Sequence, residues 1–171
     1  MRRKAISEAY LDIETTGLAP PYAEITVIGV YLVDGDNDRF VQLVGKDCSV
    51  ANLLEALDGV DTIYTYNGSR FDLPFIRDYM GVDLIDLFSH HDLMYDCWQC
   101  NLYGGFKKVE MQLGINRELK GMDGYDAVLL WQRYLRYDDK RALKKLLHYN
   151  KEDVVNLKML RDKLSAIRWQ S

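Results

Sequence analysis

The chain has 171 residues, of which 48% are hydrophobic and 28% charged, enough apolar material for one globular domain spanning residues 1–171. A formal net charge of -4 excludes a highly basic nucleic-acid coat, but not an acidic centre with a local basic rim. Three cysteines, Cys48, Cys97 and Cys100, with no secretory signal ahead of them fit a reducing compartment. Met1-Arg2-Arg3-Lys4 is basic without a following apolar region, and no run is long and apolar enough for a membrane span, so a cytoplasmic location without membrane attachment is expected.

Tyr10 to Leu18 opens the chain as an apolar run carrying Asp12 and Glu14 and ending at Gly17. On a β-strand, residues two apart share a face, so the two carboxylates stand side by side. Like charges that close repel, and a hard divalent cation between them removes the conflict. The alternative is an edge strand that shows polar residues to water. Thr16 to Pro21 is turn chemistry, and Glu24 to Asp34, rich in β-branched residues, is a second strand. A hairpin turn over Asp34 to Asp38 leads to a third strand at Arg39 to Val44. Ser49 caps a short helix through Leu57, and Thr62 to Tyr66 is a further strand.

A helix spanning Phe71 to Met80 opens at Asp72, which is read either as an ordinary cap or as an acid held at a helix entrance. Leu84 to Leu93 is ambiguous between a short strand and a loop. Lys107 to Leu113 is a short helix stopped by Gly114, and Asp126 to Arg136 is a helix with a broad apolar face. The last helix runs from about Asp138 to Ala166, with a bend or break expected near Asn150. Within it Tyr149 and Asp153, four residues apart, project from one face at the border of the apolar stripe. The arrangement is a meander followed by alternating strands and helices, a mixed α/β layer structure.

Asp12-x-Glu14, Asn67-x-x-x-Phe71-Asp72 and Tyr149-x-x-x-Asp153, in that order, resemble the three motifs of DEDD-type 3′-5′ exonucleases with a Tyr in the third, the DEDDy subtype also found in family B DNA polymerase proofreading domains. The closer resemblance is to the small ribonuclease-H-like predicted exonuclease family typified by YprB, through Gly104 to Ile115, His91-Asp92-Leu93 and Leu147 to Val154 as well. This resemblance implies a ribonuclease H-like fold, a mixed five-stranded sheet flanked by helices. It also implies hydrolysis at the 3′ end of single-stranded DNA or RNA, by a monomer carrying two Mg²⁺ or Mn²⁺ ions about 3.5 to 4 Å apart. Asp12, Glu14, Asp72 and Asp153 are the implied ligands. Asp12 is shared, Glu14 and Asp153 serve the ion that activates water, and Asp72 serves the ion at the leaving oxygen. The Tyr149 hydroxyl orients the water, because a phenol of pKa about 10 is a poor proton acceptor.

Thr15, Gly17, Leu18, Asn67, Phe71 and Lys107 are the implied substrate contacts, with Asn67 and Phe71 also open to bracing and core roles. Lys108, Arg141, Lys144 and Lys145 offer a phosphate-tracking rim or a plain solvated face. Asp92 stands at the rim of the metal site or simply ends an element. Two other readings stay open: a zinc site from Cys97 and Cys100 with His90 and His91, and a silent binding module on the same fold.

Overall fold

A computed structural model describes residues 8–35 and 37–169, so the basic Met1 to Lys4 segment and Asp36 of the hairpin turn lie outside the described residues. Five strands, β1 (Glu8–Thr15), β2 (Ile25–Asp34), β3 (Asn37–Val44), β4 (Thr62–Thr65) and β5 (Ser89–Asp92), form one sheet in the order β3-β2-β1-β4-β5. The meander β1 to β3 pairs antiparallel, whereas β4 lies parallel to both β1 and β5. The strand that carries the acid pair is therefore central.

Alternation along β1 divides its side chains between two layers. Ala9, Leu11 and Ile13 join Ile28, Val30 and Ile63 in a core closed by α1 (Val50–Ala56) and α2 (Asp72–Met80), through Leu53, Leu73 and Ile76. Tyr10, on the other face, packs with Leu93, Cys97, Val109, Leu157 and Leu160 from α3 (Leu93–Gln99), α4 (Phe106–Leu113) and α6 (Lys140–Trp169). Val27, Trp131, Leu146 and Tyr149 continue that second layer, where α5 (Gly124–Tyr137) meets α6. Asp12 and Glu14 share the face of Tyr10 by the period-two rule, so they point towards α6.

Local signals fix several ends. Ser49 Oγ accepts from Asn52 N at 3.3 Å and caps α1. Gly114, at φ 66°, terminates α4 in the left-handed conformation that glycine adopts freely. The ambiguous Leu84 to Leu93 stretch resolves into a 3-10 turn at Leu84–Asp86 and the edge strand β5, followed directly by α3. Asp92 makes that short helix possible by capping it.

One expectation is corrected, and one of two open readings is excluded. The final helix does not break near Asn150; α6 is continuous, because Asn150 turns its amide into the sheet and leaves the helical ladder intact. Asp72 is not a cap: it is the first residue of α2, Phe71 holds the capping position without a side-chain bond, and the Asp72 carboxylate is engaged elsewhere.

Candidate metal centre

The parallel ladder between β1 and β4 pairs only Glu8, Ala9 and Tyr10 with Thr62, Ile63 and Tyr64. Beyond Tyr10 no β4 residue pairs with β1, so the backbone N-H of Ile13 needs another acceptor. Asp72 supplies it: Oδ1 accepts from Ile13 N at 3.1 Å. An acid from the helix layer on one face is thereby fastened to the strand between the two acids that point to the other face. The antiparallel register with β2 also shifts between Glu14 and Thr15, a local irregularity at the end of the acid-bearing segment.

Asp12, Glu14 and Asp153 each place a carboxylate oxygen within 4.8 Å of the others. Asp72, Tyr149, Asn67, Phe71 and Lys107 line the same cavity of about 200 Å³. Glu14 and Asp153 are buried, and Glu14 Oε1 has no hydrogen-bond partner despite being shut off from solvent. A buried carboxylate oxygen left unpaired among other carboxylates is costly unless a cation completes its environment. The donor set is hard oxygen alone, the chemistry of Mg²⁺ or Mn²⁺.

The electrostatics agree. Burial, then the charges of Asp153, Glu14 and Asp72, push the Asp12 carboxyl well above the usual carboxylate range. Burial and Asp153 do the same to Glu14. Asp72 is pushed up to about 7, chiefly by burial, with the Ile13 N-H holding it back. Asp153 is raised by burial and restrained by Lys107 and Arg117.

Lys107, on the first turn of α4, donates to the Tyr149 hydroxyl at 2.6 Å and lies 3.8 Å from Asp153. Tyr149 is buried, and burial together with the surrounding acids holds its phenol far above the ordinary value, so the hydroxyl keeps its proton. Its oxygen accepts from Lys107, and its O-H remains available to donate.

Five residues to which the sequence assigned no role in the site, Arg117, Glu110, Asn156, Asn150 and Gln42, complete the surroundings. Arg117 donates to Asp153 and, through Nε at 2.7 Å, to buried Glu110, whose other oxygen accepts from Asn156 at 2.7 Å. Burial opposes the Arg117 charge, yet the bonds to Glu110 and Asp153 hold the guanidinium protonated. Fully buried Asn150 donates to Asp12 Oδ2 at 3.2 Å and accepts from Gln42 at 2.9 Å. For Arg117 no local signal existed, since its partners lie on other elements. The polar Asn150 inside an apolar helical stripe was such a signal, read instead as a break.

Asp92 does not stand at the rim. It is buried, and its carboxylate accepts from Asn67 N at 2.8 Å, Ser69 N at 3.1 Å, Ser69 Oγ at 2.6 Å and Met94 N at 3.1 Å. It thus ties the turn after β4 to the start of α3. That turn puts Asn67 at φ 59°, a conformation that asparagine tolerates better than most residues. Phe71 packs against Phe75 with centroids 5.7 Å apart and also lines the metal-facing cavity.

Thr15, Gly17 and Leu18 line a neighbouring cavity of about 510 Å³ with Glu14, Phe71 and Tyr125. Leu18 is 87% exposed there. Arg141, Lys144 and Lys145 are exposed on α6 and line neither cavity, as expected of a solvated face. The zinc reading fails. Cys97 is buried among apolar side chains, His90 shares a hydrogen bond with Thr65 Oγ1 at 2.9 Å, and His91 bonds Asp96. Among the described residues the converging ligand group is the acidic one.

A family model described as RNase_H_2, of the RNase_H superfamily, matches residues 9–165. The chain belongs to the ribonuclease H superfamily. The Bacillus subtilis (strain 168) protein named "Uncharacterized protein YprB" is 31% identical over 167 residues, covering 86% of this chain and 39% of that protein. The chain thus spans well under half the length of that relative. Among solved structures, Brucella melitensis NrnC bound to pGG matches with a TM-score of 0.62 at 20% identity, covering 96% of this chain and 74% of that one. The same protein with bound Mg²⁺ matches with a TM-score of 0.60 at 19% identity, covering 96% and 75%. These likenesses bear out the ribonuclease H-like fold expected from the ordered motifs. Among the described residues no helix is long and apolar enough to cross a membrane.

Proposed function

We propose that the protein is a DEDDy-type 3′-5′ exonuclease, which hydrolyses phosphodiester bonds at the ends of single-stranded DNA or RNA. The observation that carries this reading is a buried Glu14 with an unpartnered Oε1, on a carboxylate that places one oxygen within 4.8 Å of oxygens of Asp12 and Asp153. A binding module has no physical need for such a group.

Asp12, Glu14, Asp72 and Asp153 would hold the metal, all four facing one cavity. Mg²⁺ or Mn²⁺ ions bound there would supply acidification of a water and neutralisation of the charge that develops on the phosphate. The Tyr149 O-H donates to the attacking water and orients it, while Lys107 fixes the phenol oxygen and offers its charge to the phosphate. Thr15, Gly17 and Leu18, with Phe71, receive the terminal nucleotide in the cavity beside Glu14. Asn67, in the turn after β4, lines the metal-facing cavity.

The likeness to NrnC, bound to pGG in one structure and to Mg²⁺ in another, supports a nucleic-acid end and a divalent ion. The test is incubation with 3′-labelled DNA and RNA in Mg²⁺, Mn²⁺ or EDTA. Labelled mononucleotide appears in the metal lanes only, and Asp12→Asn abolishes it while the protein stays folded. Equal products with and without EDTA, or cleavage confined to internal positions, overturns the reading.

A further inference from the structure

Beside the metal-facing cavity, and outside its lining, lies a cluster of cationic and aromatic side chains. Arg70 is exposed, and its guanidinium carbon sits 5.7 Å from the Trp98 ring centroid and 6.0 Å from that of Tyr95. The two rings meet edge to face, with centroids 5.3 Å apart at 89°. Tyr95 is 39% and Trp98 36% exposed, on a short helix that buries Leu93, Met94 and Cys97 on its other side. Burial is thus complete on one face of α3, and the rings on the other are held up by an arginine.

The cluster is joined to the site by covalent and hydrogen-bonded links. Arg70 N donates to Asn67 O at 3.2 Å, and Asn67 and Phe71 both line the metal-facing cavity. The Asp92 carboxylate bonds Asn67 and Ser69 on one side and caps α3 on the other, so ring platform and metal centre share one anchor.

We propose that Arg70, Tyr95 and Trp98 form a stacking platform for the nucleotides of a single-stranded nucleic acid that lie upstream of the bond being cut. The proposal rests on the exonuclease reading for its direction, but not for its chemistry. Aromatic rings take the π face of any base without reading its sequence, and a guanidinium beside them meets the phosphate that follows. In a chain of net charge -4, a cation placed there gives the polyanion a local attractive spot next to the carboxylates that would otherwise repel it.

Binding is measured by fluorescence anisotropy in EDTA, with 5′-labelled oligothymidylate and oligouridylate from two to about twelve nucleotides. Trp98→Ala weakens binding of the longest oligonucleotides by about 5- to 100-fold, with a loss that grows with length. Trp98→Phe retains most of the affinity. Arg70→Ala lowers the slope of log K against log salt concentration by about 0.7, the value of one phosphate contact on a single strand. Arg70→Glu, at an exposed position, weakens binding further and keeps the test in force should the Trp98→Ala protein fail to fold.

Native-like affinity at every length in both Trp98→Ala and Arg70→Glu overturns the platform, and points to a protein partner or a further domain as the occupant of this face. Failure of the exonuclease reading is seen separately, as no metal-dependent release of mononucleotide from the 3′-labelled strands by the unaltered protein, while the anisotropy result still decides the platform.

Discussion

Asn150 reaches across from α6 to Asp12, its Nδ2 3.2 Å from the carboxylate and 3.3 Å from the backbone oxygen of the same residue. Gly29, paired with Asp12 in the β1/β2 register, makes the approach possible, since a β-carbon there would lie 2.2 Å from Asn150 Oδ1. Gly29→Ala is expected to force the two elements apart, with a loss of about 1 to 3 kcal/mol. Chemical denaturation measures that loss, and an unchanged midpoint refutes it. Asn150→Ala removes the donor to the Asp12 carboxylate and one of the two acceptors of Gln42 Nε2, whose bond to Leu147 O at 2.8 Å remains, and is expected to cost about 1 to 3 kcal/mol as well.

Tyr149→Phe removes only the hydroxyl that Lys107 bonds at 2.6 Å. The fold is retained, because the ring stays packed with Val27, Trp131 and Leu146. Turnover is expected to fall about 100-fold with little change in KM, the pattern of a group that acts on the water and not on the substrate. A rise in KM with unchanged kcat would instead place Tyr149 in substrate binding.

Arg117→Ala strands Asp153 and Glu110 as buried charges without their shared counter-ion. A loss of about 3 to 5 kcal/mol is expected, the range for breaking one side of a buried ion pair, and thermal unfolding reads it. Arg117→Lys keeps the charge but cannot span both carboxylates with a planar fork, so it should restore part of the stability. Full restoration by Lys would show that the fork geometry is irrelevant.

Protons substitute for metal in the ion-free protein. Burial and the neighbouring acids raise the carboxyls of Asp12, Glu14 and Asp72 above their unfolded values of about 4, so their contribution to stability is complete below that pH. It is lost as pH climbs through the folded-state values, about 7 for Asp72. In EDTA the melting temperature should therefore fall between about pH 5 and 8. Mn²⁺ should raise it more at the upper end, where the ligands are already ionised. A melting temperature in EDTA that rises over this range contradicts the acid cluster as drawn.

Local rules carried the sequence reading wherever the relevant partner was a near neighbour. Ser49 as a cap, Gly114 as a stop and the meander of β1 to β3 follow from residue chemistry acting over a few positions. Arg117 meets Asp153 across 36 residues, Lys107 meets Tyr149 across 42, and Asn150 meets Asp12 across 138. No short-range pattern encodes such pairs, because each depends on how α4, α6 and the sheet pack.

The sequence by itself determined that Asp12 and Glu14 share a face, because strand side chains alternate, and that Tyr149 and Asp153 lie one turn apart, because helices repeat every 3.6 residues. The three-layer packing decided the rest. The β1/β4 ladder stops at Tyr10, which leaves the Ile13 N-H for Asp72 and so brings an acid from the opposite layer to the first pair. The same packing buries Glu14 with an unpartnered oxygen beside Asp153, a relation that periodicity can permit but that only the approach of α6 to the central strand creates.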